Sequence, residues 1–301
     1  MIRLVDVLSR TRAWLAERGV PHAEQQARLL LGHVLHMAPL QLYLHHDQPL
    51  TDEELAALRP LVKRRGQREP LAYILGSVGF HSIDLHITPG VLVPRPCTEA
   101  LVEAALRAIR AGTVGTPSSE PTEADATEPS PVFIADVGSG SGAVGLAIAA
   151  NLPQARVYAT DVSPVALELT RKNTDALGLG QRVAVLQGDL LSPIPAHRPV
   201  DWVVSNPPYI PSGQIDGLEP EVRDHEPRLA LDGGPDGLAV YRTLIPAAAH
   251  RARRGVLVEI GHDQGAAVAQ IFAASGLEQV TVTQDAARHD RVVAGLVPQR
   301  R

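Results

Sequence analysis

The chain has 301 residues, a net charge of −5, 45% hydrophobic residues and 20% charged ones. That length allows two domains with cores of their own, and the acidic balance argues against a wide nucleic-acid footprint. Cys97 is the only cysteine, which excludes an intramolecular disulfide and any zinc site built from several thiolates.

Aromatic residues make up 3% of the chain, so its cores must be built from Leu, Val and Ala. No signal-peptide pattern and no apolar run of membrane-spanning length is found, so a cytoplasmic protein without membrane association is expected. The 12 histidines are scattered and none has metalloprotease spacing with Glu, so no metal site is expected.

Taken in order, Leu4, Val5, Leu8, Trp14 and Leu15 recur at helical spacing and Gly19 ends the run. Pro21 and Pro39 open two further helical segments. Thr51 with Glu54 forms a capping-box pattern ahead of Leu55, Leu58 and Leu61, and that helix ends in the basic run Lys63, Arg64, Arg65. Residues 1–75 are thus expected to form a helical bundle that docks a substrate or partner. Across residues 76–93, Gly76, Gly79, Pro89 and Gly90 punctuate roughly alternating runs, the signature of a β-hairpin linker. The prolines of Val93-Pro94-Arg95-Pro96 keep the chain extended, and Thr98 starts a helix to residue 110. Residues 111–131 are rich in Gly, Pro, Ser, Thr and acids and carry no apolar face. A disordered acidic insert is expected there.

From Val132 onward strands alternate with helices. Five strands are predicted up to residue 260 and two more apolar runs after it. This pattern gives the fold class as α/β, a doubly wound Rossmann-like sheet spanning residues 94–301. Ligands of such sheets sit at the carboxyl ends of the strands. Asp136, the glycine loop Gly138-Ser139-Gly140-Ser141-Gly142, Asp161, Asp189 and Asn206 all fall at predicted strand ends.

Glycines let the loop turn tightly and bring its backbone against a ligand, and Asp161 is placed to accept hydrogen bonds from ribose hydroxyls. NAD and S-adenosylmethionine both contain adenosine and share these features. Two details favour the sulfonium ligand. Ala143 stands at the third Rossmann glycine position, and Asp136 suits a cationic amino acid better than a pyrophosphate.

Asn206-Pro207-Pro208-Tyr209 follows an apolar strand. Two prolines stop the sheet and stiffen the loop. The Asn206 carboxamide and the Pro207 carbonyl can then accept from one planar NH2 group, with Tyr209 as a stacking face. That describes a receptor for an amide or an exocyclic amine.

Taken together, Asp136 to Gly142, Asp161-Val162-Ser163, Gly188-Asp189 and Ser205-Asn206-Pro207-Pro208-Tyr209-Ile210 resemble a class I S-adenosylmethionine-dependent methyltransferase acting on nitrogen. Arg68 to Gly76, Pro94-Arg95-Pro96-Cys97-Thr98-Glu99, His225-Glu226-Pro227, Gly234 to Leu238 and Glu259-Ile260-Gly261 narrow the resemblance to the PrmC/HemK family. It covers nearly the whole chain. Cys97 stands where that family usually has Asp, and Leu190 where Trp is frequent.

The resemblance implies methylation of N5 of the glutamine in the Gly-Gly-Gln motif of peptide chain release factors, which tunes translation termination. It implies S-adenosylmethionine as donor and S-adenosylhomocysteine as product, with no metal. By position, Asp136, Gly138 to Gly142, Asp161, Asp189, Leu190 and Asn206 would bind the donor. Asn206, Pro207, Pro208 and Tyr209 would hold the glutamine, with Arg95 beside the substrate path. A monomer without stable nucleic-acid binding is expected. Two other readings share the motifs: a nucleic-acid amino methyltransferase, which needs a dense basic stripe, and a module that binds adenosine without transferring anything.

Overall fold

A computed structural model of the chain describes residues 2–113 and 130–298. It divides into two compact units, one formed by residues 2–77 with Leu218–His225, the other by 78–217 with 226–298.

The first unit is helical. β1 (Ile2–Arg3) pairs antiparallel with β2 (Pro49–Leu50). The helices are α1 (Leu4–Glu17), α2 (Ala23–Leu35), α3 (Pro39–Leu44), α4 (Asp52–Gly66) and α5 (Leu71–Leu75). Leu4, Leu15, Leu30, Leu31 and Leu58 come from three helices and close into one apolar core. Each such leucine contributes about 1.5–3 kcal/mol on leaving water.

The capping box of α4 forms as expected: Glu54 N donates to Thr51 Oγ1 at 3.2 Å and Thr51 N to Glu54 Oε2 at 2.8 Å. Asp52, Glu53 and Glu54 occupy its first turn and Lys63, Arg64 and Arg65 its last, as the helix dipole favours. α5, within the Arg68 to Gly76 motif, stops at Gly76, whose φ of +74° is a left-handed ending.

The basic run closing α4 is not an open patch. Arg65 is buried, and its guanidinium donates to Glu221 Oε1 at 2.6 Å and to the Glu69 carbonyl at 3.1 Å. Arg68 Nη2 donates to Glu221 Oε2 at 2.6 Å, and Arg64 Nε donates to Glu69 at 2.8 Å. Glu221 lies on α9 (Pro220–Arg223), so these ion pairs hold residues 218–225 to the first unit.

In the second unit, β3 (Ser77–Phe80) and β4 (Ile83–His86) form the hairpin. A single 3-10 turn, Pro96–Thr98, leads into α6 (Glu99–Thr113), so residues 111–113 extend that helix rather than begin the insert. Residues 114–129 of the expected insert lie outside the described residues. The chain then alternates: β5 (Val132–Val137), α7 (Ala143–Asn151), β6 (Ala155–Asp161), α8 (Pro164–Ala176), β7 (Val183–Gln187), β8 (Trp202–Ser205). After α9 follow α10 (Ala239–Arg251), β9 (Gly255–Glu259), α11 (Gly265–Ala274), β10 (Glu278–Gln284) and β11 (Asp290–Leu296).

α10 begins three residues later than the Asp236 expected from sequence. Asp236 instead accepts from Leu238 N at 3.1 Å, a turn that delays the helix.

The strands form a seven-stranded sheet in the order β10-β11-β9-β8-β5-β6-β7. β7, β6, β5, β8 and β9 run parallel, and β11 and β10 close one edge antiparallel. Strands buried on both faces read as continuous apolar runs, as β5, β8 and β9 do. Alternate residues of β5 face two cores, with Ile134 among α6 and α7 and Ala135 and Val137 among α10 and α11. The strand order reverses between β5 and β8, the switch point at which doubly wound sheets bind ligands.

Candidate active site

Val137 and Ser205 are register partners at the ends of β5 and β8. The next residues are Gly138 and Asn206, so the glycine loop and the proline-braced loop leave the sheet side by side. Ser205 Oγ donates to the Val137 carbonyl at 2.7 Å and ties the two strand ends together.

A cavity of about 260 Å³ opens above this point. Asp136, Gly138, Ser139, Gly140, Ser141, Asp161, Asp189, Leu190, Asn206, Pro207 and Pro208 all line it. So do Val91, Thr98, Pro227, Leu229 and Ala230. Three expected site residues lie outside that lining, Gly142, Tyr209 and Arg95. Tyr209 packs among the α10 and α11 core, with its hydroxyl 3.4 Å from Glu259 Oε1. Arg95 Nη2 donates to the buried Glu226 at 2.7 Å.

The glycine loop owes its shape to backbone that other residues adopt only under strain. Gly138, Gly140 and Gly142 have φ of +70°, +58° and +82°. Gly138 N and Ser139 N both donate to the Thr160 carbonyl at 2.9 Å, anchoring the loop to β6. Asp161 at the end of β6 accepts from Gly140 N and from Ser163 N, each at 2.9 Å. A carboxylate offers about four acceptor positions, so these two bonds orient Asp161 and leave capacity for hydroxyls.

Asp136 is buried and accepts from Gly145 N at 2.8 Å. Burial pushes its carboxyl up to about 7, against the Gly145 hydrogen bond and with a further push from the Asp161 charge. A cation brought into the cavity would stabilise its ionised form. Ser139 Oγ is buried without a hydrogen-bond partner, a position a polar ligand would satisfy. An acidic end, a glycine floor and a carboxylate at the β6 tip suit an adenosine-bearing cationic ligand. Leu190 supplies an apolar wall at a φ of +48°, fixed by a 2.8 Å bond from Thr160 Oγ1 to its carbonyl.

The Asn206 loop is braced from outside. Gln264 Nε2 donates to the Tyr209 carbonyl at 2.9 Å, and Ile210 N to the Leu231 carbonyl at 3.0 Å. Gly233 lies so close that a Cβ there would stand 2.8 Å from the Pro208 carbonyl oxygen. Asn206 Nδ2 donates to Thr98 Oγ1 at 3.2 Å. Neither Thr98 nor Gln264 was among the site residues expected from the sequence. Thr98 lies within a recognised motif, but nothing in the spacing marks Gln264.

Burial drives the Glu259 carboxyl up to about 7, opposed by a hydrogen bond from Thr98 and the Arg291 charge. Among the described residues, no group of three or more His, Cys, Asp or Glu could hold a metal ion, and no helix is long and apolar enough to cross a membrane.

The comparisons with known proteins agree with this architecture. The family described as PrmC N-terminal domain matches residues 6–76, and that described as Methyltransferase small domain matches residues 127–218. A protein of Geobacter sulfurreducens named release factor glutamine methyltransferase is 42% identical over 293 residues, covering 97% of this chain and 95% of that protein. One of Caulobacter vibrioides with the same name is 39% identical, covering 98% and 96%. Among solved structures, the hMettl16 catalytic domain in complex with MAT2A 3'UTR hairpin 6 aligns with a TM-score of 0.54 and 14% identity, covering 83% of each chain. That likeness concerns the fold.

Proposed function

The chain belongs to the release factor glutamine methyltransferase family, and from that premise we propose that it methylates N5 of the Gly-Gly-Gln glutamine of peptide chain release factors, with S-adenosylmethionine as donor. The observation that carries this reading is the Val137–Ser205 register, which sets the glycine loop next to Asn206 in one cavity. The first, helical unit is the part proposed to grip the release factor. The proposed setting is the cytoplasm, with the enzyme acting as a monomer.

When bound, the donor supplies an activated methyl group, so little covalent work is left to the protein. Asp136 and the Gly138 to Gly142 backbone would hold the donor's amino acid end, and Asp161 its ribose. Leu190 would lie along its base. Asn206 Oδ1 and the Pro207 carbonyl would each accept one hydrogen of the target NH2. An amide nitrogen is a poor nucleophile because its lone pair is delocalised. Two acceptors on that nitrogen orient the lone pair and stabilise the positive charge that develops on it. An N-alkylated amide cation is strongly acidic, so no His or Glu base is required. Tyr209, which packs against the core outside the cavity lining, would stiffen the receptor from behind rather than stack on the target.

A basic stripe for nucleic acid is disfavoured because Arg64 and Arg65 are paired with acids and Arg251 is tied to the Pro195 and Arg198 carbonyls. Mass spectrometry of a purified release factor after incubation with enzyme and donor tests the proposal. One added methyl on the motif glutamine is the expected result, and an unmodified glutamine beside a methylated nucleic acid would overturn it.

A further inference from the structure

We propose that Thr170 and Asn173 are positioning residues for donor binding. They brace the glycine loop from α8, and Asn173 also joins that loop to the end of β4, so that loop and hairpin respond to the donor as one piece. The inference rests on the function proposed above and adds a device to its donor site.

Both residues lie in the middle of α8, three apart and so on one face of the helix. Neither is a strong helix former, yet both are buried, Thr170 at 0% exposure and Asn173 at 1%. Asn173 spends its carboxamide on backbone groups. Oδ1 accepts from His86 N at 2.8 Å, and Nδ2 donates to the His86 carbonyl at 3.1 Å and to the Ser141 carbonyl at 2.8 Å. His86 is the last residue of β4. The carboxamide exchanges two bonds with it, as a residue of a paired strand does. Thr170 Oγ1 donates to the Gly140 carbonyl at 2.9 Å.

These bonds decide which way the loop's peptide groups face. Glycines give the loop little stiffness of its own, so its orientation must come from outside. Among the described residues no peptide bond is cis, and in a trans peptide the C=O and the N–H point opposite ways. With the Gly140 and Ser141 carbonyls held toward α8, the N–H groups of Ser141 and Gly142 are sent to the other side. Gly142 N donates to the Ser139 carbonyl at 2.7 Å. The Ser141 N–H faces away from α8, in a segment that lines the cavity.

Beyond His86 the chain becomes cavity wall, with Gly90, Val91 and Leu92 in the lining. Val91 packs with Ala166 and Leu169 of α8, and its Cγ1 lies 3.8 Å from where a Cβ on Gly140 would stand. A ligand that stills the glycine loop therefore steadies β4 through Asn173. A loop released from its brace samples other peptide orientations, and apparent affinity falls in proportion to the fraction still in the binding form.

The experiment compares the full-length wild type with Asn173→Ala, Thr170→Val, Thr170→Ser and Phe272→Leu. The last is a substitution of a fully buried side chain in α11 that lowers stability without touching the brace. Calorimetry with S-adenosylhomocysteine should show binding about tenfold weaker in Asn173→Ala and Thr170→Val, the loss of one hydrogen-bond contribution. Thr170→Ser and Phe272→Leu should bind as wild type does. The KM for S-adenosylmethionine should rise by the same factor in the two weakened variants. Their single-turnover rate at saturating donor should stay within about twofold of wild type, because the brace acts on donor binding and not on the target nitrogen.

A second readout follows backbone amide exchange. In wild type, saturating S-adenosylhomocysteine should slow exchange in β4 as well as in the glycine loop. In Asn173→Ala the loop should still respond and β4 should not. If Asn173→Ala does not fold, the Thr170 pair and the wild-type exchange carry the test. Wild-type donor affinity in Thr170→Val would overturn the inference, as would a wild-type β4 whose exchange ignores the donor. Equal weakening in Phe272→Leu would also overturn it, reducing the brace to general stability. Linked exchange in a wild type that methylates no release factor would support the positioning role and sink the proposed substrate instead.

Discussion

Ser205 Oγ donates to the Val137 carbonyl at 2.7 Å across two parallel strands. The bond is buried, and it ties the residue before Asn206 to the residue before Gly138. Two loops far apart in sequence therefore leave the sheet from one fixed point. The proposed chemistry needs a nitrogen, a methyl carbon and a sulfur in line, and small misplacements of such a line cost large factors in rate.

Asn206→Ala should lower the single-turnover rate on the order of a hundredfold, by analogy with the loss of one oxyanion-hole donor. Donor affinity should change little, since the glycine loop and Asp161 are untouched. Rapid-quench methylation and calorimetry with S-adenosylhomocysteine check the two halves. Wild-type turnover in this variant would refute the role given to the carboxamide.

Gly142→Ala should weaken both fold and donor binding. Gly142 has φ +82°, and a Cβ there would lie 2.7 Å from Leu146 Cδ1 and 3.1 Å from Thr170 Cγ2. Left-handed backbone alone costs alanine about 1–2 kcal/mol. A lowered midpoint in urea together with weaker S-adenosylhomocysteine binding is the expected result.

Asp136→Asn should remove a pH dependence of stability. Burial raises the Asp136 carboxyl from its ordinary 3.8 to about 7 in the folded protein. The protonated form is therefore the one the fold prefers. Its contribution is complete below about pH 4 and is lost as pH rises to about 7, up to about 4 kcal/mol in all. Asn is neutral throughout and does not lose it. Without donor, the variant should gain on wild type between about pH 5 and pH 8 in urea unfolding. With donor present, it should bind more weakly at either pH.

Glu221→Ala should destabilise the first unit by about 3 kcal/mol, because it strands the buried Arg65 charge. The Arg65 side chain is 3% exposed, so water cannot replace the lost carboxylate. Burial alone would raise Glu221, but the hydrogen bonds from Arg68 and Arg65 hold it below the ordinary carboxylate range. Its stabilisation is thus present at neutral pH and lost as the solution is acidified through its lowered pKa. Thermal unfolding of wild type and variant at neutral and acid pH should show the difference closing in acid.

What could be read from the chain was what lies within a few residues of itself. Asp136 to Gly142 is a strand end, a turn and a helix start in one stretch. Asn206 to Tyr209 carries its own stiffness in two prolines. The capping box of Thr51 and Glu54 is equally local. What could not be read is made through space. Asn206 at a strand end bonds Thr98 at the start of a helix, and no spacing links the two. Lys63-Arg64-Arg65 looks like a solvated basic patch until Glu221 is found against Arg65. Tyr209 follows the loop motif closely, yet Glu259 and the core draw its ring away from the cavity.

Leu218–His225 belongs with residues 2–77, although the stretches on either side of it belong to the other unit. The polypeptide thus passes from one body to the other three times, so no single cut yields two whole pieces. A fragment ending at residue 77 lacks the acid that neutralises Arg65, and one starting at 78 carries α9 without its partners. Dissecting this enzyme requires a graft: the 218–225 stretch fused behind residue 77 on one side, and a short bridge from 217 to 226 on the other.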